Sequence, residues 1–131
     1  MADRSHDWFA QAERDLETAE ELAASGKHEW ACFAAHQSAE KAIKSVHLRA
    51  GQEAWGHALV HLIRLLPEGS PAPPDLVDRA KVLDNYYIPT RYPNGHSEGA
   101  PFEFFGPLQS KDALEHARAI VAFARAALAA A

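Results

Sequence analysis

Cysteine is nearly absent from this sequence, and so are long apolar runs, an excess of positive charge and any alternating strand pattern. A single cysteine, Cys32, among 131 residues excludes an intrachain disulfide and a cysteine-rich zinc site. Its neighbours Ala31, Phe33 and Ala34 mark it as a small core residue. The longest apolar-looking stretch, Ala117 to Ala131, is interrupted by Arg118 and Arg125 and is rich in alanine, so it falls short of a membrane span. Met1 to Asp7 is polar and has no apolar region behind a basic start, so no secretory leader is expected. A formal net charge of −5 denies the chain the basic surface that phosphate-tracking nucleic-acid binders need, while leaving room for a small local phosphate site. No segment of strand length alternates apolar and polar residues. The expectation is a cytoplasmic, all-α chain that makes no contact with membrane.

Apolar residues make up 47% and charged residues 24%, which suits a folded chain rather than a disordered one. At this length one domain spanning residues 1–131 is expected. Trp8, Ala12, Leu16, Ala19, Leu22 and Ala23 recur in steps of three and four, predicting a first helix over Arg4 to Ser25, with Gly26 as its stop. The second helix is expected from Lys27 or His28 to Ala50. Its stripe of Cys32, Ala35, Ala39, Ala42, Ile43 and Val46 is mostly small and admits a close neighbour, so this helix should be central and antiparallel to the first. A short third helix is predicted over His57 to Leu66, closed by Pro67. A fourth should run from about Asp75 to Tyr87, where Pro89 pushes Ile88 out of helical geometry. The stretch Pro89 to Pro107 carries four prolines and the cluster Phe102, Phe104, Phe105, and is expected to lie ordered against the helices. Ser110 is a suitable N-cap for the last helix.

Three groups of residues carry possible chemistry. On the second helix Gln37, Lys41 and Lys44 share a face, and Glu40 precedes Lys44 by four, the favourable order for an ion pair. That face is either solvated surface, or a source of positive charge or partner contact. His57 and His61 lie four apart, a spacing that permits a shared metal. A third ligand is not evident, and Ala58 stands where the His-Glu-x-x-His arrangement needs glutamate, so no metal or other cofactor is expected. Arg91 and His96 lie in Tyr86-Tyr87-Ile88-Pro89-Thr90-Arg91-Tyr92-Pro93-Asn94-Gly95-His96, where aromatic, cationic and titratable residues crowd together outside any helical period. A guanidinium grips phosphate oxygens in a bidentate way, an imidazole moves protons near neutral pH, and Tyr92 offers a ring for base stacking. The pair suffices for metal-independent RNA transesterification. The alternative is structural: Arg91 pairs with Asp84 or Glu98, and His96 decorates a turn.

Three segments in order, Ala35-His-Gln-Ser-Ala-Glu-Lys-Ala-Ile-Lys44, His57-Ala-Leu with Leu65-Leu66, and Tyr86-Tyr-Ile-Pro-Thr-Arg-Tyr-Pro93, make the chain similar to small stand-alone prokaryotic HEPN domain proteins over most of its length. The resemblance implies an up-and-down bundle of four to five helices, a homodimer, and pairing with a minimal nucleotidyltransferase in a toxin-antitoxin module. Many HEPN proteins are ribonucleases using an Arg-x4-6-His motif, which falls here on Arg91 and His96 as catalytic residues, with Lys41, Lys44 and Tyr92 to help bind RNA or nucleotide. In those enzymes a polar residue follows the arginine within an unbroken helix, whereas here Tyr92-Pro93 follows Arg91 and Gly95 precedes His96. A toxin-like ribonuclease and a non-catalytic nucleotide-binding or interaction module therefore both remain open.

Overall fold

Helices lined with alanine can approach one another more closely than helices lined with leucine, and this governs the centre of the molecule. In the computed structural model, residues 3–130 are described; residues 1, 2 and 131, which belong to the polar start and the alanine-rich end, lie outside the described residues. Helix α2 (His28–Arg49) is the axis. Its Ala31, Cys32, Ala35, Ala39 and Ala42 are fully buried against α1 (Ser5–Ala24), which contributes Ala12 and Ala19, and α5 (Pro107–Ala130), which contributes Ala113, Ala117 and Ala124. Burial pushes the Cys32 thiol up to about 12, with the charges of Asp112 and Glu29 adding to the effect.

Polar contacts fix the register. Helices α1 and α2 run antiparallel because only the tight turn at Gly26, whose φ of +83° favours glycine, joins them, and the Ser38 hydroxyl donating to the Ala12 carbonyl at 2.6 Å and the Lys41–Asp15 pair set their register. Arg118 and Arg125 of α5 meet Glu20 and Glu13 of α1 at 3.5 and 3.0 Å, placing α5 antiparallel to α1. Two shorter helices, α3 (Leu59–Arg64) and α4 (Pro74–Asp84), add Leu59, Leu62, Ile63, Leu76, Ala80 and Leu83 to the same core. The result is an all-helical bundle of five helices, with no strand among the described residues. No helix among them is long and apolar enough to cross a membrane.

Helix α3 covers only Leu59–Arg64 of the expected His57 to Leu66, and α4 and α5 also differ from the sequence expectation. Helix α4 stops at Asp84 rather than Tyr87, because the amides of Asn85, Tyr86 and Tyr87 bond three residues back in tightening turns ahead of Pro89. Helix α5 begins at Pro107, a residue suited to a first helical position, so Ser110 is not its N-cap. Ser110 is buried and its hydroxyl lies 2.8 Å from His28 Nδ1, tying α5 to the start of α2.

The segment between α4 and α5 is ordered, as its composition predicts. It contains short 3₁₀ turns at Pro93–Gly95 and Pro101–Glu103. Thr90 is buried and its hydroxyl donates to the Tyr86 carbonyl at 2.5 Å. The turn at Gly95 lies so close to Pro89 that a Cβ there would stand 2.9 Å from the Pro89 Cα. Tyr86 meets Phe105 edge-on at 5.8 Å.

Candidate functional site

Helix α2 is apolar on more than one side and still carries acids and bases, which can be buried only when paired. His36 is fully buried, Glu40 is 3% exposed and Lys44 8%, so half of the polar face of Gln37, Glu40, Lys41 and Lys44 is interior, while Gln37 and Lys41 are partly exposed. Lys44 Nζ lies 3.2 Å from Glu40 Oε2, the predicted pair, and 5.7 Å from the Trp8 ring centre. The other Glu40 oxygen accepts from His57 Nδ1 at 3.0 Å. His36 Nε2 lies 3.0 Å from Asp84 Oδ1, while the Gln37 amide donates to His36 Nδ1 at 3.2 Å. This pattern puts the His36 proton on Nε2.

Asp84 also accepts the amides of Leu59 at 2.8 Å and Val60 at 3.0 Å. Ala58, at the head of α3, has no side chain able to cap it, and Asp84 does so from the end of α4. Burial works to raise the Asp84 pKa, but the hydrogen bonds from His36, Val60 and Leu59 outweigh it and hold the carboxyl below its usual range.

Arg91 stands directly beyond this network. The double turn in which the Arg91 and Tyr92 amides both bond the Ile88 carbonyl, at 3.0 and 3.2 Å, brings its side chain back over Tyr87. Its Nε donates to the Tyr87 carbonyl at 2.8 Å. The guanidinium carbon lies 4.3 Å from the Phe33 ring centre, 4.5 Å from that of Tyr87 and 5.0 Å from that of Tyr92. Asp84 is committed to His36 and α3, so it is not the partner of Arg91. Among the described residues the guanidinium makes no ion pair, and its two terminal nitrogens make no hydrogen bond. Tyr92 is about half exposed.

His96 is held differently. Its Nε2 donates to the Pro89 carbonyl at 2.7 Å, and its ring stacks on Phe104 at 4.4 Å and 10° and meets Phe105 edge-on at 6.1 Å. Arg91 and His96 therefore belong to one loop but share no contacting ring. Of the two lysines, Lys41 faces α1 and is paired with Asp15, and Lys44 reaches the Arg91 region only through Glu40 and His57. His57 and His61 do not converge: His57 turns to Glu40 and Tyr87, while His61 lines a cleft of about 420 Å³ with His47, Trp55 and Leu65.

Sequence reasoning did not assign His36, Glu40, Asp84 or Tyr87 a role in the site and weighed His57 as half of a metal pair, although the segments that carry the family resemblance contain His36, Glu40, His57 and Tyr87. Among side-chain pairings, only the Glu40–Lys44 spacing pointed here.

The chain matches the HEPN domain family over residues 5–127. Among solved structures it resembles a protein of Thermus thermophilus, with 45% identity and a TM-score of 0.94 over 96% of this chain and 99% of that one. An archaeal HEPN homologue is 37% identical, with a TM-score of 0.81 over 95% of this chain and 98% of the other. A HEPN domain protein from Thermotoga maritima is 29% identical, with a TM-score of 0.77 over 95% and 98%. No curated protein gives a significant match.

Proposed function

This chain belongs to the HEPN domain family, and on that premise we propose that it is a toxin-like, RNA-binding protein whose phosphate anchor is Arg91. The observation that carries this reading is the guanidinium itself, set against Phe33, Tyr87 and Tyr92 with no carboxylate among the described residues to neutralise it. In a chain of net charge −5 such a cation needs another source of negative charge, and a phosphodiester fits its fork of donors. Tyr92 offers a half-exposed ring on which an adjacent base can stack. The footprint is local, one or two phosphates, so affinity should fall only gently with salt. The proposed setting is a cytoplasmic homodimer of a single helical domain, acting beside a minimal nucleotidyltransferase and needing no metal. Light scattering should then return about twice the 14.4 kDa chain mass.

Fluorescence anisotropy with a labelled single-stranded RNA tests the anchor. Replacing Arg91 by alanine should weaken binding by about 10- to 100-fold, the range for hydrogen bonds to a charged group. Arg91→Lys should recover little of it, because an ammonium cannot reproduce the stacked, planar fork. Unchanged affinity in Arg91→Ala would remove the reading.

Cleavage is a second reading, favoured by the imidazoles that surround the anchor. In the motif assignment His96 moves the proton, and with Nε2 donated to the Pro89 carbonyl it would do so through Nδ1. RNA kept intact by the wild-type protein in the presence of chelator would leave binding without cleavage as the function.

A further inference from the structure

A tryptophan ring left in water forgoes the burial that makes aromatic side chains stabilising. Trp55 is 77% exposed, more than Trp8 or Trp30, yet its indole is oriented, because Nε1 donates to Glu53 Oε2 at 3.2 Å. The ring lines a cleft of about 420 Å³ between the α2–α3 connection and one face of α3, together with the buried Leu62 and with Leu65, which is 55% exposed. One buried side chain pins both walls. His47 Nε2 donates to the Leu62 carbonyl at 2.8 Å, its Nδ1 lies 3.0 Å from the side-chain oxygen of Gln52, and the Gln52 amide bonds the His47 carbonyl at 2.9 Å. The cleft is therefore preformed, at the small end of the size range of ligand sites. Gly56, at φ +85°, separates Trp55 from His57, and on either side of it one ring lines this cleft while the other lies against Tyr87.

Glu53 decides what such a cleft accepts. Its carboxylate makes no ion pair among the described residues, and its Oε1 makes no hydrogen bond there. The other titratable groups of the lining are His47, committed to the two walls, and His61, so with neutral imidazoles Glu53 carries the only formal charge facing the cleft. A purely apolar occupant would fill the space beside Leu62, Leu65 and Trp55 but would strip water from the carboxylate without replacing it. An anion would be repelled. A cation on an apolar stem meets both requirements, and a guanidinium meets them best, because it stacks on an indole face and offers a carboxylate two donors. A lone cation would still leave the exposed Leu65 and much of the Trp55 ring in water. We propose that the Trp55 cleft is a docking site for a partner protein that presents an arginine flanked by aliphatic residues, with Glu53 pairing the guanidinium and Trp55 and Leu65 covered by its neighbours. Exposed tryptophans set in such a rim are the residues on which interface energy concentrates. The site stands apart from the Arg91 reading: it uses other residues and takes the opposite charge.

The test is an NMR titration of the isotope-labelled full chain at about pH 8, where imidazoles are ordinarily neutral, with the peptide acetyl-Leu-Arg-Leu-amide. It is followed on the Trp55 indole N–H, identified by its absence in Trp55→Phe, and on the backbone amides of α3. Both sets of signals should move and saturate at on the order of 1 mM peptide or less. Acetyl-Leu-Gln-Leu-amide, which keeps the aliphatic neighbours and lacks the charge, should bind at least about tenfold more weakly, the loss expected for a hydrogen bond to a charged group. Glu53→Gln should weaken the arginine peptide by a similar factor, because glutamine keeps an acceptor for the indole N–H and removes only the charge. Its thermal midpoint should stay that of the wild type, which separates lost binding from lost folding. In Trp55→Ala the α3 amides should no longer respond. Agmatine, the same guanidinium without flanking residues, should bind more weakly than the peptide; equal affinity would make the occupant a free amine and overturn the assignment to a protein. Displacement of the peptide by single-stranded RNA would overturn it as well, since Trp55 would then belong to a nucleic-acid surface. No response at Trp55, equal binding of the arginine and glutamine peptides, or undiminished binding in Glu53→Gln would each end the proposal.

Discussion

His57 and His96 are the same side chain stacked on an aromatic ring, yet what stands behind each ring sets them apart. Behind His57 is the buried carboxylate of Glu40, bonded to Nδ1 and leaving Nε2 open. Behind His96 is the Pro89 carbonyl, bonded to Nε2, with Phe104 parallel to the ring and Phe105 at its edge. The His57 side is held by polar pairing that reaches through Glu40 and Lys44, with His36 and Asp84 beside it. The His96 side is held by close steric fit between Gly95, Pro89 and the phenylalanines. Each ring donates one nitrogen, but one leans on a buried anion and the other closes a turn against a carbonyl.

The largest effect is expected at Asp84. Its replacement by alanine strands His36 and two amides at the head of α3, and should cost roughly 3 kcal/mol, from the loss of three hydrogen bonds to an ionised carboxylate. Urea denaturation would show this as a lower midpoint at unchanged slope. The same carboxyl gives the His57 side an acid limit. Because its folded pKa lies below its ordinary value, its stabilisation is complete above about pH 4 and is lost as pH falls through the lower folded value. Asp84→Asn should flatten that loss.

On the other side, Gly95→Ala should cost about 2 kcal/mol, since the new Cβ meets Pro89 backbone rather than a flexible side chain. If Gly95→Ala proves more damaging than Asp84→Ala, or if Asp84→Ala is neutral, the distinction between a polar-held and a shape-held half is wrong.

The smallest effect is an alkaline one, at Tyr86. Burial raises Tyr86, edge-on to Phe105, from 10.0 to about 12. Its stabilisation is therefore present below pH 10 and lost between 10 and 12. Tyr86→Phe should remove part of the loss of thermal stability in that window, leaving a share due to Cys32, which burial raises from 9.0 to about 12. A stability profile in that range identical to wild type would count against it.

The helices were legible in the sequence because their signals are short-ranged. The steps of three and four in Trp8 to Ala23, the glycine stop at Gly26 and the small-residue stripe of α2 all act within one or two turns, and the bundle follows from them. Arg91 was legible because its loop concentrates unusual residues in one run. The network beside it was not, since its bonds join residues 17, 25 and 48 positions apart, and nothing in the local pattern of Glu40 or Asp84 names a distant histidine or a helix start. Ser110 shows the converse, a residue with good local credentials as a cap whose hydroxyl instead meets His28, 82 positions away.

The clamp on Arg91 has a thermodynamic consequence. A free arginine side chain samples many rotamers, worth about 2 kcal/mol of entropy, and most surface arginines surrender that freedom only when a ligand arrives. Here the bond from Nε to the Tyr87 carbonyl and the flanking rings of Phe33, Tyr87 and Tyr92 remove it during folding. If Arg91 is the anchor proposed above, an incoming anion would meet a receptor already ordered, so more of the contact energy would show up as affinity. A chain with an unfavourable overall charge can in this way hold a phosphate with one well-placed cation.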